Sequence, residues 1–375
     1  MIAFNKPYLS GKETEYISAA VSSGKISGDG MFTKKCHEFF EKRYGFKKVL
    51  LTTSCSDALE MAAILLDIKE GDEVIVPSFT FVSTANAFVL RGAKIVFADC
   101  EEHTPNIDTT KIEALITPKT KAIVPVHYAG MACDMDAIML LAGKYNLFVV
   151  EDAAQAIDSF YKGRPLGSFG HLAAFSFHET KNIISGEGGM LVINDERFLH
   201  RAEIIREKGT NRSAFFRGET DKYGWVDIGS SFLPSDIIAA FLFAQLENLD
   251  EIQQRRKKIW ETYYKGLSGL QQKGLADLPI LPEYAVNNAH MFYIVCKDLE
   301  ERTALIAKLK AEQIGAVFHY ISLHSSPYYL TKHDGRPLPH ADRFTNCLLR
   351  LPFYFELKEE DQQKVIDTIL NFYGL

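Results

Sequence analysis

Apolar positions along this chain fall into short unbroken runs, and the segments between several of these runs carry apolar residues at helical spacing. Val49-Leu50-Leu51, Glu73 to Pro77, Lys94 to Phe97, Ala122 to Val126 and Leu147 to Val150 have the β-branched, uninterrupted character of strands covered on both faces. After the first run, Ser54-Cys55-Ser56 opens a helix whose buried face carries Leu59, Ala62, Ala63 and Leu66. Strand and helix alternate in this way through the first part of the chain, which predicts an α/β fold with a mostly parallel central sheet and helices on each side. Upstream lie an amphipathic segment around Tyr16, Ala19 and Ala20, the turn Ser27-Gly28-Asp29-Gly30, and a second helical pattern from Phe32 to Phe40. Glycines at 28 and 30 permit positive φ, so a tight turn is expected there, with a substrate-facing loop at Gly28 as the alternative.

Further along, Leu172 to Phe177 and Met190 to Ile193 read as strands, Ala202 to Arg206 as a helix, and Asp236 to Leu249 as an apolar helix behind a serine cap. Helical character continues through Glu251 to Lys265, a charged run expected to be exposed, and the domain hinge is placed there. The division is a large domain over 1–249 and a smaller α+β C-terminal domain over 250–375. The latter is built from strand patterns at Met291 to Val295 and Ala316 to His319 and helices at Arg302 to Glu312 and Glu359 to Tyr373.

Composition narrows the picture. At 375 residues the chain is long enough for about two cores. The net charge of −6 comes without a basic block, which argues against nucleic acid or an anionic membrane as partner. No apolar run is long enough to span a bilayer, and the opening residues lack the pattern of an export signal. Six scattered cysteines without a CxxC pair fit reduced thiols, so a cytoplasmic location is expected.

In open α/β sheets ligands sit beyond the carboxyl ends of the strands. The residues there are Ser54 to Ser56, Phe79 to Phe81, His127, Glu151 to Gln155, and the stretch Phe175 to Gly189 with its single Lys181. A lysine delivered to that edge can hold an aldehyde, the carboxylate of Asp152 can keep a ring nitrogen protonated, and Ser54 to Ser56 at a helix start can cradle an anion. Pyridoxal 5'-phosphate needs those three things. Each residue alone has a plainer role: Ser54 or Ser56 as a cap, Asp152 in a loop, Gln155 on the surface, Cys55 as a small packing residue. Gly186-Glu187-Gly188-Gly189 precedes a strand and not a helix, so it is no dinucleotide fingerprint, and no GK[ST] loop exists. No HExxH or other metal-like spacing occurs, so no metal is expected.

Four motifs together, SCSDAL at 54–59, EDAAQ at 151–155, FSFH at 175–178 with Lys181, and GEGG at 186–189, resemble the DegT/DnrJ/EryC1/StrS family of nucleotide-sugar aminotransferases. The resemblance spans essentially the whole chain. It implies the fold type I, aspartate aminotransferase-like architecture of pyridoxal-phosphate-dependent transferases, and a homodimer with shared active sites. By position, Lys181 would hold the cofactor's aldehyde, Asp152 would pair with its ring nitrogen and Gln155 would lie near its ring hydroxyl. Ser176 and Cys55-Ser56 would bind its phosphate, and Phe81 would stack on the ring. Ser231 stands where the family usually has an asparagine that reaches the partner's phosphate. Stretches such as GDEVIVPSFTFVSTANAFVLRGAKIVF and REKGTNRSAFFRG are similar to the branch that serves enterobacterial common antigen synthesis. That likeness implies transfer of the amine of L-glutamate to C4 of dTDP-4-dehydro-6-deoxy-D-glucose, giving dTDP-4-amino-4,6-dideoxy-D-galactose and 2-oxoglutarate. The gluco epimer and a non-catalytic sensor of cofactor and sugar nucleotide are the alternatives. Related dehydratases carry histidine in place of the lysine, so Lys181 argues against that activity. His319, Tyr320 and His324 are candidates for sugar contacts or for packing.

Overall fold

The structure is a computed structural model and describes residues 1–375. The chain opens with α1 (Glu13–Ser22) and α2 (Met31–Tyr44), then runs β1 (Val49–Thr52), α3 (Cys55–Leu65), β2 (Glu73–Pro77), α4 (Val82–Val89) and β3 (Lys94–Ala98). A one-turn α5 (Thr109–Ile112), β4 (Thr120–Ile123), α6 (Met135–Tyr145) and β5 (Phe148–Asp152) follow. The hairpin of β6 (Phe160–Tyr161) and β7 (Arg164–Pro165) leads to β8 (Leu172–Ser176), β9 (Gly189–Ile193), α7 (Leu199–Arg206), α8 (Arg212–Phe216), α9 (Asp236–Leu246) and α10 (Leu249–Gln272). The remainder holds β10 (Ala285–Val286), β11 (Tyr293–Val295), α11 (Leu299–Ala311), β12 (Val317–Phe318), α12 (Pro339–Cys347), β13 (Leu348–Arg350) and α13 (Glu359–Phe372).

Seven strands form the central sheet in the order β1-β9-β8-β5-β4-β2-β3. All neighbours are parallel except β9, which runs antiparallel to both β1 and β8. Crossing back to a parallel position needs a long connection, usually a helix, whereas residues 177–188 make only turns, so β9 returns antiparallel. The register has a direct consequence for the site. Gly189 is the Cα partner of Thr52 on one side and Ser176 on the other, and Asp152 is the partner of Ala174. The carboxyl ends of β1, β8 and β5 therefore meet at one edge. A Cβ on Gly189 would lie 2.3 Å from the backbone carbonyl of Ser54, so only glycine lets β9 come this close to the turn before α3.

Apolar faces of α1, α2 and α9 join one side of the sheet in a core that includes Ala20, Phe32, Phe40, Ala239 and Leu246. The other side packs α3, α4 and α7, with residues of the C-terminal part such as Met291, Phe344 and Leu348 closing on the same core. A separate core gathers Ile259, Tyr263, Leu267, Leu309, Leu349 and Ile366 around the three-stranded sheet β11-β13-β12.

Three local expectations are revised. In the Ser27–Gly30 turn the positive φ of 59° falls on Asp29, not on a glycine. Gly28 and Gly30 are needed for space instead, since a Cβ at 28 would strike Leu233 and one at 30 would strike the Asp236 carboxylate. The run Glu251 to Lys265 is not wholly exposed: it belongs to α10, whose residues Ile252, Arg256, Ile259, Trp260 and Tyr263 are buried. Ile252 lies in the large core and Ile259 in the C-terminal one, so a single helix runs through the region between the two. The Ala122 to Val126 run is regular strand only to Ile123, with Val126 rejoining β5 through an isolated bridge to Asp152.

Candidate active site

A cavity of about 540 Å³ lies where the ends of β1, β5 and β8 face the C-terminal part of the chain. Its walls bring together Ser54, Cys55, Ser56, Phe81, Asp152, Gln155, Ser176, Lys181, His319 and Tyr320 from the sequence-derived set. Three of that set lie elsewhere. Gly28 packs against Leu233 and Pro234. Exposed Ser231 bridges to Glu207. Buried His324 places Nδ1 2.7 Å from the Ser78 hydroxyl, outside the cavity lining.

The first turn of α3 forms one end of the cavity. Ser54 is the N-cap, its hydroxyl accepting from the backbone N–H of Asp57 at 3.0 Å. Its cap role does not exclude it from the cavity wall. The backbone N–H groups of Cys55 and Ser56 have no partner within the chain, as expected at a helix start, and the helix dipole adds to their pull on an anion. Ser56 Oγ donates to Ser83 Oγ at 2.7 Å. Ser176 lines the same cavity and accepts from the backbone N–H of His178 at 3.3 Å. Burial and neighbouring carboxylates push the Cys55 thiol well above its ordinary pKa, so it is not an activated nucleophile.

Asp152 is 5% exposed and ends β5. Thr84, in the first turn of α4, donates to Oδ2 at 2.7 Å, and the Ala154 N–H donates to Oδ1 at 3.1 Å. Burial raises the carboxyl's pKa, while these two donors and the charge of Lys181 oppose that shift. The adjacent Glu151 points the other way into the core, where it accepts from the N–H groups of Gly167, Phe169 and Gly170 and meets His127 at 3.0 Å. Gln155 is fixed at both ends of its amide: Oε1 accepts from the Ala129 N–H at 2.6 Å and Nε2 donates to the Tyr320 hydroxyl at 3.2 Å.

Lys181 sits in the turn after β8, its backbone N–H bonded to the His178 carbonyl at 2.9 Å. Its side chain opens onto the cavity and is otherwise enclosed by protein. The amine makes no ion pair within the chain. Burial lowers its pKa from the usual lysine value to about 8, with Arg350 pushing the same way and Cys55 and Asp152 opposing. A neutral amine is thus accessible near physiological pH, as needed for attack on an aldehyde. Phe81, at the N-cap of α4, is 56% exposed and leans toward Tyr320 with ring centroids 6.0 Å apart.

The opposite wall contains residues that the sequence reading did not single out. His290 is buried, its Nδ1 2.9 Å from the Asn182 carbonyl oxygen. Asn182 uses its amide nitrogen on Gln253 and Asn288, so His290 must be the donor and its Nε2 carries a lone pair. Arg350 at the end of β13 also lines the cavity, as do Thr84 and Ser83. Unpartnered N–H groups, a buried hydrogen-bonded carboxylate and a lysine amine of lowered pKa fit pyridoxal phosphate at its phosphate, ring nitrogen and aldehyde respectively.

Comparison with known proteins agrees with that chemistry. The model of the DegT/DnrJ/EryC1/StrS aminotransferase family matches residues 7–370. The spore coat polysaccharide biosynthesis protein SpsC of Bacillus subtilis (strain 168) is 34% identical over 383 residues, covering 98% of this chain and 96% of that protein. Among solved structures, the putative sugar aminotransferase Spr1654 from Streptococcus pneumoniae in its PMP form aligns over 99% of both chains with a TM-score of 0.91 at 27% identity. DesV of S. venezuelae, solved in complex with a ketimine intermediate, also aligns with a TM-score of 0.91, at 30% identity, over 100% of this chain and 99% of its own.

Proposed function

The chain belongs to the DegT/DnrJ/EryC1/StrS aminotransferase family and is a pyridoxal-phosphate-dependent sugar aminotransferase, and from that premise we propose that it moves the amino group of L-glutamate to C4 of dTDP-4-dehydro-6-deoxy-D-glucose. The products are dTDP-4-amino-4,6-dideoxy-D-galactose and 2-oxoglutarate. The observation that carries an aminotransferase role for this cavity is Lys181, an unpaired amine with a pKa of about 8 at the edge where Asp152 and the start of α3 also converge. The choice of sugar is supported by the stretches 71–97 and 206–218, which resemble the branch acting on that dTDP-hexose.

When bound, the cofactor supplies an aldehyde to take up the amine and a ring that withdraws electrons from the carbon bearing it. The chain's residues do the rest. Lys181 Nζ would hold the aldehyde, and its amine would move the proton to and from the donor's α-carbon and the sugar's C4. Asp152, held by Thr84 and the Ala154 N–H, keeps a proton on the ring nitrogen. The Cys55 and Ser56 N–H groups, with the hydroxyls of Ser56 and Ser176, bind the phosphate, Phe81 covers the ring and Gln155 lies at the ring hydroxyl. Ser231 serves the site of a second copy in a homodimer, and His319 and Tyr320 meet the sugar.

The test is NMR of the product formed by the loaded enzyme from L-glutamate and dTDP-4-dehydro-6-deoxy-D-glucose. A small H3–H4 coupling marks the axial amine of the galacto product and supports the reading. A large coupling assigns the gluco epimer, and absence of aminosugar removes this substrate altogether.

A further inference from the structure

Behind the turn that carries Lys181 lies a buried hydrogen-bond network with one loose end. Asn182, the next residue, is 5% exposed and commits its whole amide to the protein. The nitrogen donates to Gln253 Oε1 on α10 and to the Asn288 carbonyl, both at 2.8 Å, and the oxygen accepts from His290 Nδ1 at 2.9 Å. Asn288 in turn donates to the carbonyls of Gln155 and Ile157 at 2.8 and 2.7 Å. The lysine's turn, α10, the segment entering β11 and the chain beyond β5 are thereby tied together. Because Asn182 has no spare donor or acceptor, it holds the His290 ring in one orientation relative to Lys181.

The loose end is the other nitrogen of that ring. With Nδ1 donating to Asn182, Nε2 of the neutral imidazole can only accept. His290 is 4% exposed and lines the cavity with Nε2 unpartnered. The ring stays neutral, since burial holds its pKa well below the ordinary histidine value, with Lys181, Arg256, Arg350 and His319 pushing the same way. Other acceptors on the walls are engaged. Asp152 takes the Thr84 hydroxyl and the Ala154 N–H, Gln155 takes the Ala129 N–H, and the Tyr320 hydroxyl takes Gln155 Nε2. Glu187 stands on the exposed rim, 3.7 Å from His178. The Lys181 amine opens onto the same cavity and is equally without a partner in the chain.

We propose that His290 is a positioning residue for Lys181: whenever the amine is not bonded to the cofactor, His290 Nε2 accepts one of its N–H groups and so aims the amine at the carbon whose proton it moves. This rests on the aminotransferase reading given above. The flexible four-carbon stem of Lys181 lets the amine turn between the cofactor's aldehyde and the imidazole. A free lysine without a fixed acceptor would sample many rotamers, and a proton carrier is effective only when held in line with its carbon. The proton passes between that carbon and Nζ, and the imidazole neither gains nor loses one. A hydroxyl of the sugar or the ammonium of the donor would meet Nε2 in only one half of the reaction. The lysine works in both halves, and Asn182 joins its turn directly to the ring.

The experiment compares holoenzyme of wild type, His290→Asn and His290→Gln. Conversion of the cofactor by L-glutamate is followed by absorbance, and amination of the keto-sugar is followed separately, starting from protein loaded with pyridoxamine phosphate. The shorter amide of His290→Asn keeps a donor for Asn182 but leaves no acceptor in the cavity, whereas His290→Gln brings a carbonyl oxygen to the place of Nε2. In His290→Asn, kcat of both halves should fall about 10- to 100-fold with KM for glutamate little changed, and His290→Gln should return to within about fivefold of wild type. Glutamate deuterated at its α-carbon should slow His290→Asn by a larger ratio than it slows wild type, because proton transfer becomes the limiting step. A direct readout is nitrogen NMR of histidine-labelled protein loaded with pyridoxamine phosphate. The His290 Nε2 signal should carry the shift of a hydrogen-bonded acceptor and lose it in Lys181→Met. A signal indifferent to Lys181→Met overturns the proposal. So does the reverse order of variants, with His290→Asn active and His290→Gln impaired, which marks the ring as an anchor for Asn182 alone. Loss confined to one half also overturns it and assigns Nε2 to that half's substrate. If wild type takes no amine from glutamate or leaves the keto-sugar unchanged, the substrate reading fails instead, and the NMR comparison still decides His290.

Discussion

The two walls of the cavity are built on different principles. On the sheet side, three polar side chains are committed before any ligand arrives, while the Lys181 amine and the Cys55 and Ser56 N–H groups stay free: Asp152 is held at both oxygens, Gln155 at both ends of its amide, and Ser54 as a cap. On the C-terminal side, Arg350 has no polar partner, and His290 and His319 each use one ring nitrogen on the protein, the latter on the Tyr128 hydroxyl at 3.0 Å. A fixed wall suits a component that stays bound through every turnover, because prearranged dipoles need no reorganisation when charge develops. An uncommitted wall suits components that alternate. The contrast teaches that the side chains which orient, Asp152 and Gln155, are saturated, whereas the groups left to meet a ligand, the Lys181 amine and the Cys55 and Ser56 N–H groups on one wall and Arg350 on the other, are open.

That contrast can be broken at the fixed wall. Lys181→Ala should lower turnover by on the order of 10⁴-fold, the upper range for a lost proton carrier, while purified protein still retains added cofactor. Activity near wild type in a coupled assay of 2-oxoglutarate release would remove the lysine from the chemistry. Asp152→Asn should fold, since the Ala154 N–H can still donate to its amide oxygen and the Thr84 hydroxyl, turned toward Thr80, can accept from its amide nitrogen, yet lose about 10²- to 10³-fold in kcat as the ring nitrogen loses its anionic partner. The rate at which apoprotein takes up pyridoxal phosphate, followed by absorbance, should rise about tenfold from pH 7 to 9 and level off above, because the neutral fraction of Lys181 grows as pH passes its pKa of about 8. A lysine of ordinary pKa would show a steeper rise with no plateau in that range. The smallest effect belongs to Thr84→Val, which removes one donor from Asp152 and keeps the side chain's size at the cavity wall. Its kcat should drop about tenfold with little change in KM for glutamate, and an unchanged kcat would show that the Ala154 N–H alone orients the carboxylate.

The same division governed how much could be read from sequence. Ser54 to Ser56, Asp152 and Lys181 stand at strand ends in a regular strand–helix alternation, so pattern alone located them at one edge. Thr84 was hidden because its role depends on the pitch of α4 bringing it under Asp152, with no motif to mark it. Arg350 was hidden because β13 has three residues, too few for a visible alternation, and because α12 before it was also unassigned. In Glu251 to Lys265, abundant charges masked the apolar stripe through Ile252, Ile259, Trp260 and Tyr263. His324 and Gly28 looked chemically apt but are consumed by packing and by the Ser78 hydroxyl.

Helix α2 has no cap of its own, since Gly30 at its N-cap offers no side chain, and the carboxylate of Asp236 accepts from the N–H groups of Phe32 and Thr33 at 3.2 and 2.8 Å in its place. Ile2 likewise finds its bridge partner at Ile314. During synthesis, then, the earliest residues to leave the ribosome are among the last to reach their native partners. The N-terminal helices must wait for more than two hundred further residues, a high contact order that slows folding and gives a chaperone a natural window in which to bind.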